Sequence, residues 1–502
     1  MEAKLAAGIA ATEDSLLLNP FVHHLELETT SEKIKTAFLT IVLLPIRVCL
    51  ICILLIVGWM LACLGLWGLT EQDLQKRPVT GWRSKVKVVA SYPVLWMFYV
   101  GGFRVKVIGR RAPRCEASVI SLAPHSSFTD SIAMVYLNSP SIVAKGETAS
   151  IPFFGKLINF TQPVYVWRDD PDSRQNTIKE IISRATSKED WPQILIFPEG
   201  TCTNRSCLIT FKPGAFYPGV PIQPVCIRYP NKLDTVTWTW EGPSALKLLW
   251  LTLTQVYSYC EIEFLPVYTP SEEEKRDPKL FASNVRAVMA KALGVPVMDY
   301  TYDDCKLMTR AKEMNLPNAN VIVEVQKLRT RLGLDQTKIE ECFIENLSCQ
   351  DCSQISYVEF SSYLNVAAND GNAQRIFNLY EKNKSGSIDF REYVLGVVGV
   401  TENRKTLEIL RLAFKIYDSS GKGRLSENDF VPVLVHTLSM SIYESREIFQ
   451  RIDSTCQGYV TFDGFLRYAE KKAEFAGLFS LSKEELRERN NSIVDNNKVK
   501  SH

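Results

Sequence analysis

The chain has 502 residues, long enough for two or three domains with cores of their own. Its 58 Lys+Arg balance 56 Asp+Glu to a net charge of +2, so nothing global points to nucleic acid as a partner. The cysteines read as those of a reduced, cytosol-facing protein and not of a disulfide scaffold.

Residues 1–36 are polar and carry no early apolar stretch of the kind a cleaved signal needs. Residues 37–70 are almost wholly apolar, interrupted only around Pro45 and Arg47. The uninterrupted part, 48–69, would span roughly 33 Å as a helix, against a hydrocarbon core of roughly 30 Å. A membrane anchor is expected, either a single span or a re-entrant helical hairpin broken at Pro45 and Arg47. More cations follow the run (Lys76, Arg77, Arg83, Lys85, Lys87) than precede it (Lys33, Lys35, Arg47), which favours a cytosolic face for the remainder. The shorter apolar run at 88–103, broken by Pro93 and a double glycine, reads as interfacial or core and not as a second span.

From 71 to 310 strand-like and helix-like patterns alternate. Strands are expected at 103–108, 119–122, 163–167, 193–197 and 221–228, and helices at 177–187, 246–257 and 281–293. This predicts an α/β domain, a sheet flanked by helices, with functional turns at the carboxyl ends of the strands. The first such turn holds Pro124-His125-Ser126-Ser127-Phe128-Thr129-Asp130. Imidazole is the side chain best tuned to take a proton near neutral pH, and a neighbouring carboxylate fixes its tautomer. The other histidines, His23, His24, His436 and His502, lie near the termini or in the last third, so a histidine base in the central domain would be His125, with Asp130 as its partner.

The next turn is Phe197-Pro198-Glu199-Gly200-Thr201-Cys202-Thr203-Asn204-Arg205, followed by Phe211-Lys212-Pro213-Gly214. With an arginine after a strand (Arg168) and the proline-bracketed run at 220–225, these blocks resemble the glycerolipid acyltransferase family. The longer string resembles in particular its lysophosphatidylcholine acyltransferase branch, the one with EF-hands. That resemblance implies acyl transfer from acyl-CoA to a lysophospholipid hydroxyl, with acetylation of lyso-platelet-activating factor as a further activity. It implies His125 and Asp130 as catalytic, Glu199, Gly200 and Thr201 as binding the glycerol phosphate, and Arg168, Arg205 and Lys212 as contacts for phosphates. No cofactor is implied for the chemistry; acyl-CoA, the lysophospholipid and the bilayer are the partners. Many relatives acting on lysophosphatidate carry arginine where this chain has Cys202, and loss of a bidentate phosphate donor favours a phosphodiester headgroup. The rivals are a lysophosphatidate acyltransferase and a catalytically inactive calcium-responsive membrane adaptor.

From 311 to 475 helix-like segments alternate with loops of EF-hand type at 348–359, 381–392, 418–429 and 453–464, which predicts two EF-hand pairs in an all-α domain. Only 381–392 keeps most of the ligand pattern: Glu381 in first place, then Asn383, Ser385, Ser387, Asp389 and Glu392, with Gly386 at the sharp turn. Calcium is a weak candidate there, and an ion-free structural role stands beside it. The polar tail, 476–502, ends in Lys498-Val499-Lys500-Ser501-His502, which resembles a dilysine retrieval address to the endoplasmic reticulum.

Overall fold

The computed structural model describes residues 19–167, 172–313, 319–334, 354–381, 385–401, 406–418, 421–472 and 475. Arg168, Asn383 and the retrieval-like tail at 476–502 lie outside the described residues. The chain divides into two compact units, Met1–Cys305 and Lys306–His502.

The first unit opens with helix α1 (Thr30–Leu66), capped by reciprocal bonds between Thr29 and Glu32. The helix runs through Pro45 without a break, so of the two alternatives for the anchor the hairpin turning at Pro45 and Arg47 does not form. Its anchor at this point is Arg47, which is buried and donates to the carbonyls of Leu253 (2.8 Å), Gln255 (2.5 Å) and Val256 (2.9 Å). A guanidinium satisfied by three carbonyls holds the helix against the domain beside the very residue whose lost backbone bond would otherwise favour a kink. After the short helix α2 (Glu71–Lys76), helix α3 (Trp82–Val100) returns antiparallel along α1. Small residues allow the approach, with Ala62 and Ala90 buried together and Gly58 against Pro93. The 88–103 run is therefore half of a helix pair, with Val88, Val89 and Trp96 left exposed on it.

The sheet follows: β1 (Phe103–Ile108), β2 (Val119–Ala123), helix α4 (Ile132–Tyr136), β3 (Ser141–Lys145), helix α5 (Phe154–Phe160), β4 (Val164–Val166), helix α6 (Ser173–Thr186), β5 (Ile194–Ile196), β6 (Ile222–Arg228), helix α7 (Ala245–Leu253), β7 (Ser258–Phe264), and helices α8 (Glu272–Arg276) and α9 (Pro278–Leu293). The strand order is β1-β7-β6-β2-β5-β3-β4, parallel throughout except between β6 and β7. β2 and β5 are buried along their whole length, as uninterrupted apolar runs inside a parallel sheet should be. One face packs Val119 and Ile194 against Phe281 and Val285 of α9; the other packs Ile120, Leu122 and Val225 around Ile132 of α4.

In the second unit, β8 (Ile355–Ser356) pairs antiparallel with β9 (Ser387–Ile388), and β10 (Arg424–Leu425) with β11 (Val460–Thr461). β8 and β9 lie within the expected 348–359 and 381–392 loops, and β10 and β11 within 418–429 and 453–464. Phe360, Phe390, Tyr393, Phe414, Phe430 and Phe465 lie within one aromatic-rich core.

Candidate active site

Sheet register brings the two signature turns together. Ser121 of β2 lies opposite Ile196 of β5 in a parallel pair, so the segments that leave their carboxyl ends emerge side by side. His125 comes from the first and Glu199 from the second. The His125 imidazole Nδ1 lies 2.9 Å from Asp130 Oδ2. Asp130 caps its own short turn: the same oxygen accepts the amides of Ser126 (2.7 Å) and Ser127 (2.9 Å), while Oδ1 accepts the Tyr229 hydroxyl at 2.7 Å. Burial opposes the Asp130 charge, but the His125, Tyr229 and Ser126 bonds outweigh it and hold this carboxyl below its ordinary range. Burial also pushes the Tyr229 phenol well up, so Tyr229 stays protonated and donates.

His125 itself is only partly covered, with 23% of its side chain exposed. Burial pulls its pKa down, but the adjacent Cys202 sulfur and the Asp130 carboxylate outweigh that pull, and the net direction is well above the ordinary value of 6.5. The ring lies against Phe197 with centroids 4.2 Å apart. With Nδ1–H donated to Asp130, the remaining lone pair belongs to Nε2, the arrangement a general base requires.

Glu199 has no exposed surface, and its oxygens accept two backbone amides, those of His125 (2.6 Å) and Ile209 (3.3 Å). Burial pushes its pKa up to about 7 against the pull of those amides. Its carboxylate is thus a brace between the two turns, and offers no exposed oxygen to a glycerol phosphate. A third tie comes from the Thr203 amide, which donates to the His125 carbonyl at 2.8 Å. Gly200 has φ +66, the left-handed region that favours glycine, and the end of the Lys212 side chain packs against it, where a Cβ would lie 2.8 Å from Lys212 Cε. Lys212 thereby lies against the Glu199-Gly200-Thr201 turn, where its side chain also covers the Tyr302 ring. Arg205 is ion-paired with Asp234 at 2.5 Å and stacks over Tyr229, so it links the second turn to the phenol that supports Asp130. Thr201 is buried, and its hydroxyl accepts the indole N–H of Trp240 at 3.2 Å.

Several participants were not legible in the motifs: Tyr229, Phe197, Cys202 as a neighbour of His125, and the segment from Asn19 to Leu25. In that segment Asn19 and Val22 offer carbonyls to Asn204 Nδ2, both at 2.9 Å, and Phe21 is buried edge-on to Tyr300. A signal existed for Tyr229 alone, which directly follows β6 and therefore sits at the same sheet edge as His125.

In the second unit the described residues of the 381–392 loop are engaged with groups of the protein. Asp389 takes both bonds of a two-pronged pair with Arg391, at 2.9 and 3.0 Å, and the Tyr417 hydroxyl at 3.2 Å. Glu392, the residue expected to grip calcium through both oxygens, faces His436 Nε2 at 3.6 Å. Glu381 accepts the Gly386 amide at 2.6 Å, and Ser385 and Ser387 bond each other at 3.2 Å. Among the described residues no cluster of three or more His, Cys, Asp or Glu side chains is disposed to hold a metal. Among the described members of the loop, Asp389 is thus engaged by Arg391 and Tyr417, and Glu392 faces His436.

Comparison with known proteins agrees with this architecture. The Acyltransferase family model matches residues 104–228, and the EF-hand domain pair model matches residues 408–470. A lysophosphatidylcholine acyltransferase of Drosophila melanogaster is 44% identical over 459 residues, covering 91% of this chain and 86% of its own. Lysophosphatidylcholine acyltransferase 1 of Rattus norvegicus is 46% identical over 462 residues, again covering 91% and 86%. Lysophosphatidylcholine acyltransferase 2 of Homo sapiens is 44% identical over 467 residues, covering 92% and 85%. Likeness of this order through both units, together with a His125–Asp130 pair braced by the Glu199 turn, means that the chain belongs to the lysophosphatidylcholine acyltransferase family.

Proposed function

We propose that this protein transfers the acyl group of acyl-CoA to the free glycerol hydroxyl of lysophosphatidylcholine, giving phosphatidylcholine and CoA. The observation that carries this reading is one linked unit: a partly exposed His125 oriented by Asp130, its own amide held by Glu199. His125 Nε2 takes the hydroxyl proton as the oxygen attacks the thioester carbonyl. Collapse of the tetrahedral adduct expels the CoA sulfur, and the imidazolium returns the proton to it. The thioester leaving group is good enough that no acyl-enzyme is required. Asp130 stabilises the transient imidazolium, and Glu199 acts at one remove by positioning the His125 backbone. Lys212, lying along Gly200, supplies positive charge for a phosphate of either substrate. Acetyl-CoA and lyso-platelet-activating factor fit the same chemistry, the hydroxyl and thioester being unchanged.

The chain acts at a membrane in this reading. Ile34, Phe38, Ile41, Ile53 and Met60 of α1 are exposed, as are Leu246 and Trp250 of α7, and α1 is long and apolar enough to cross a bilayer. The dilysine-like tail supports residence in the endoplasmic reticulum. Purified full-length protein offered labelled acyl-CoA with lysophosphatidylcholine or lysophosphatidate tests the substrate. Faster transfer to the choline lipid, abolished in His125→Ala with unchanged membrane association, is the expected result. Preferential use of lysophosphatidate, or undiminished turnover by His125→Ala, overturns it.

A further inference from the structure

Three aromatic side chains stand exposed around the turn that carries His125. Phe128, within that turn, is 39% exposed, Trp238 is 41% exposed and Trp240 is 53% exposed. None is a loosely hung surface ring. The Trp238 amide donates to the Ser126 carbonyl at 2.8 Å, one residue from the base, and its ring meets Phe128 edge-on with centroids 5.7 Å apart. The Trp240 indole N–H is spent on Thr201. The loop that carries both tryptophans is held from its other end, where the His23 amide donates to the Glu241 carbonyl at 2.8 Å. Fixed aromatic rings left open to solvent beside a reactive centre call for a ligand that prefers π faces to water.

A quaternary ammonium is such a ligand. It has no N–H to donate, so carboxylates and carbonyls cannot bond it by hydrogen, while the negative face of an indole or phenyl ring attracts its spread charge. We infer that Phe128, Trp238 and Trp240 form the subsite for the trimethylammonium group of the acyl acceptor. This rests on the reading that the acceptor is lysophosphatidylcholine, and it assigns headgroup choice to a loop outside the His125 and Glu199 turns. Tryptophans also serve as anchors in the headgroup layer. The bonds to Ser126 and Thr201 favour the subsite, because an anchor needs no tie to the catalytic turns.

The test compares lysophosphatidylcholine with its uncharged carbon isostere, in which a 3,3-dimethylbutyl group replaces choline at equal size. Detergent-solubilised full-length wild type should show kcat/KM about tenfold higher for the choline lipid, the order a partly desolvated cation–π contact supplies. Trp238→Leu should bring that ratio to within about twofold, and Trp238→Phe, which keeps a π face, should retain most of it. An unchanged ratio in Trp238→Leu overturns the subsite. So does an equal fall for both acceptors with a parallel loss of binding to phosphatidylcholine vesicles, which would make the ring an anchor. Should Trp238→Leu fail to fold, Trp240→Leu is read by the same ratio. Wild-type protein that turns over neither acceptor would instead defeat the functional reading beneath the inference.

Discussion

At the scale of single residues, the proposed chemistry is concentrated in one proton, the one His125 would take from the acceptor hydroxyl. Asp130 receives five donors, from His125, the amide and hydroxyl of Ser126, Ser127 and Tyr229, so the carboxylate cannot swing away and the imidazole has one tautomer open to it. The upward shift of His125 sets the sign of the pH dependence. The base must be neutral to work, so activity should be low where the ring is charged and should rise with pH through an ionisation above 6.5. Asp130→Asn removes a charge that favours the protonated ring. That limb should then move to lower pH while the plateau falls by about 10²–10⁴-fold, the range that general-base catalysis contributes. Profiles of kcat/KM against pH for the two proteins check both effects. A plateau reduced with no displacement of the limb would mean that another group titrates.

At the scale of elements, the link between α1 and the sheet domain is the least expected feature. Arg47 interrupts an apolar run in the sequence and looks like a place for the chain to turn. In the fold its guanidinium is buried under the backbone after α7 and lies close against Gly102 at the start of β1. A polar residue in an apolar helix here serves as a rivet to the catalytic domain. Arg47→Met keeps the length and apolar stem but strands three carbonyls. The expected cost is about 2–4 kcal/mol, since bonds from a charged donor are each worth about 1.5–3 kcal/mol and part of the loss is recovered by water. Thermal unfolding of the solubilised protein should show a lower midpoint, and protease should cut more readily in the 253–257 segment. An unchanged midpoint would mean that packing along α3 and α5 suffices to hold α1 in place.

At the scale of the whole molecule, the two units differ in how far their motifs describe their present chemistry. The acyltransferase unit keeps its signature residues in contact. The EF-hand unit keeps the fold of two loop pairs but turns the carboxylates of its best loop onto Arg391 and His436. Calcium would have to displace an internal two-pronged ion pair and free Glu392 before it could bind with its usual oxygen shell. Acyl transfer should therefore be the same in EGTA and in micromolar calcium, and calorimetry should find no sub-micromolar site. A tight site, or activation on adding calcium, would show that the Arg391 and His436 contacts open.

Much of this was legible in the linear chain because local pattern and local physics agree. Uninterrupted apolar runs mark the buried parallel strands, a histidine five residues from an aspartate marks a strand-to-helix turn, and the glycine-centred loops mark EF-hands. What stayed hidden depends on which strands lie side by side. Glu199 reads as a substrate ligand in a motif, but only the β2–β5 register puts its carboxylate on the His125 amide, out of reach of solvent. Trp238 and the Asn19–Leu25 segment carry no signature, because their roles come from distance in space and not from spacing in sequence. Composition and periodicity settle which residues are buried and which elements form, since those follow from short-range propensity and the hydrophobic effect. Which polar group faces which is settled by strand order and helix docking, and in a buried site that choice decides both charge and chemistry.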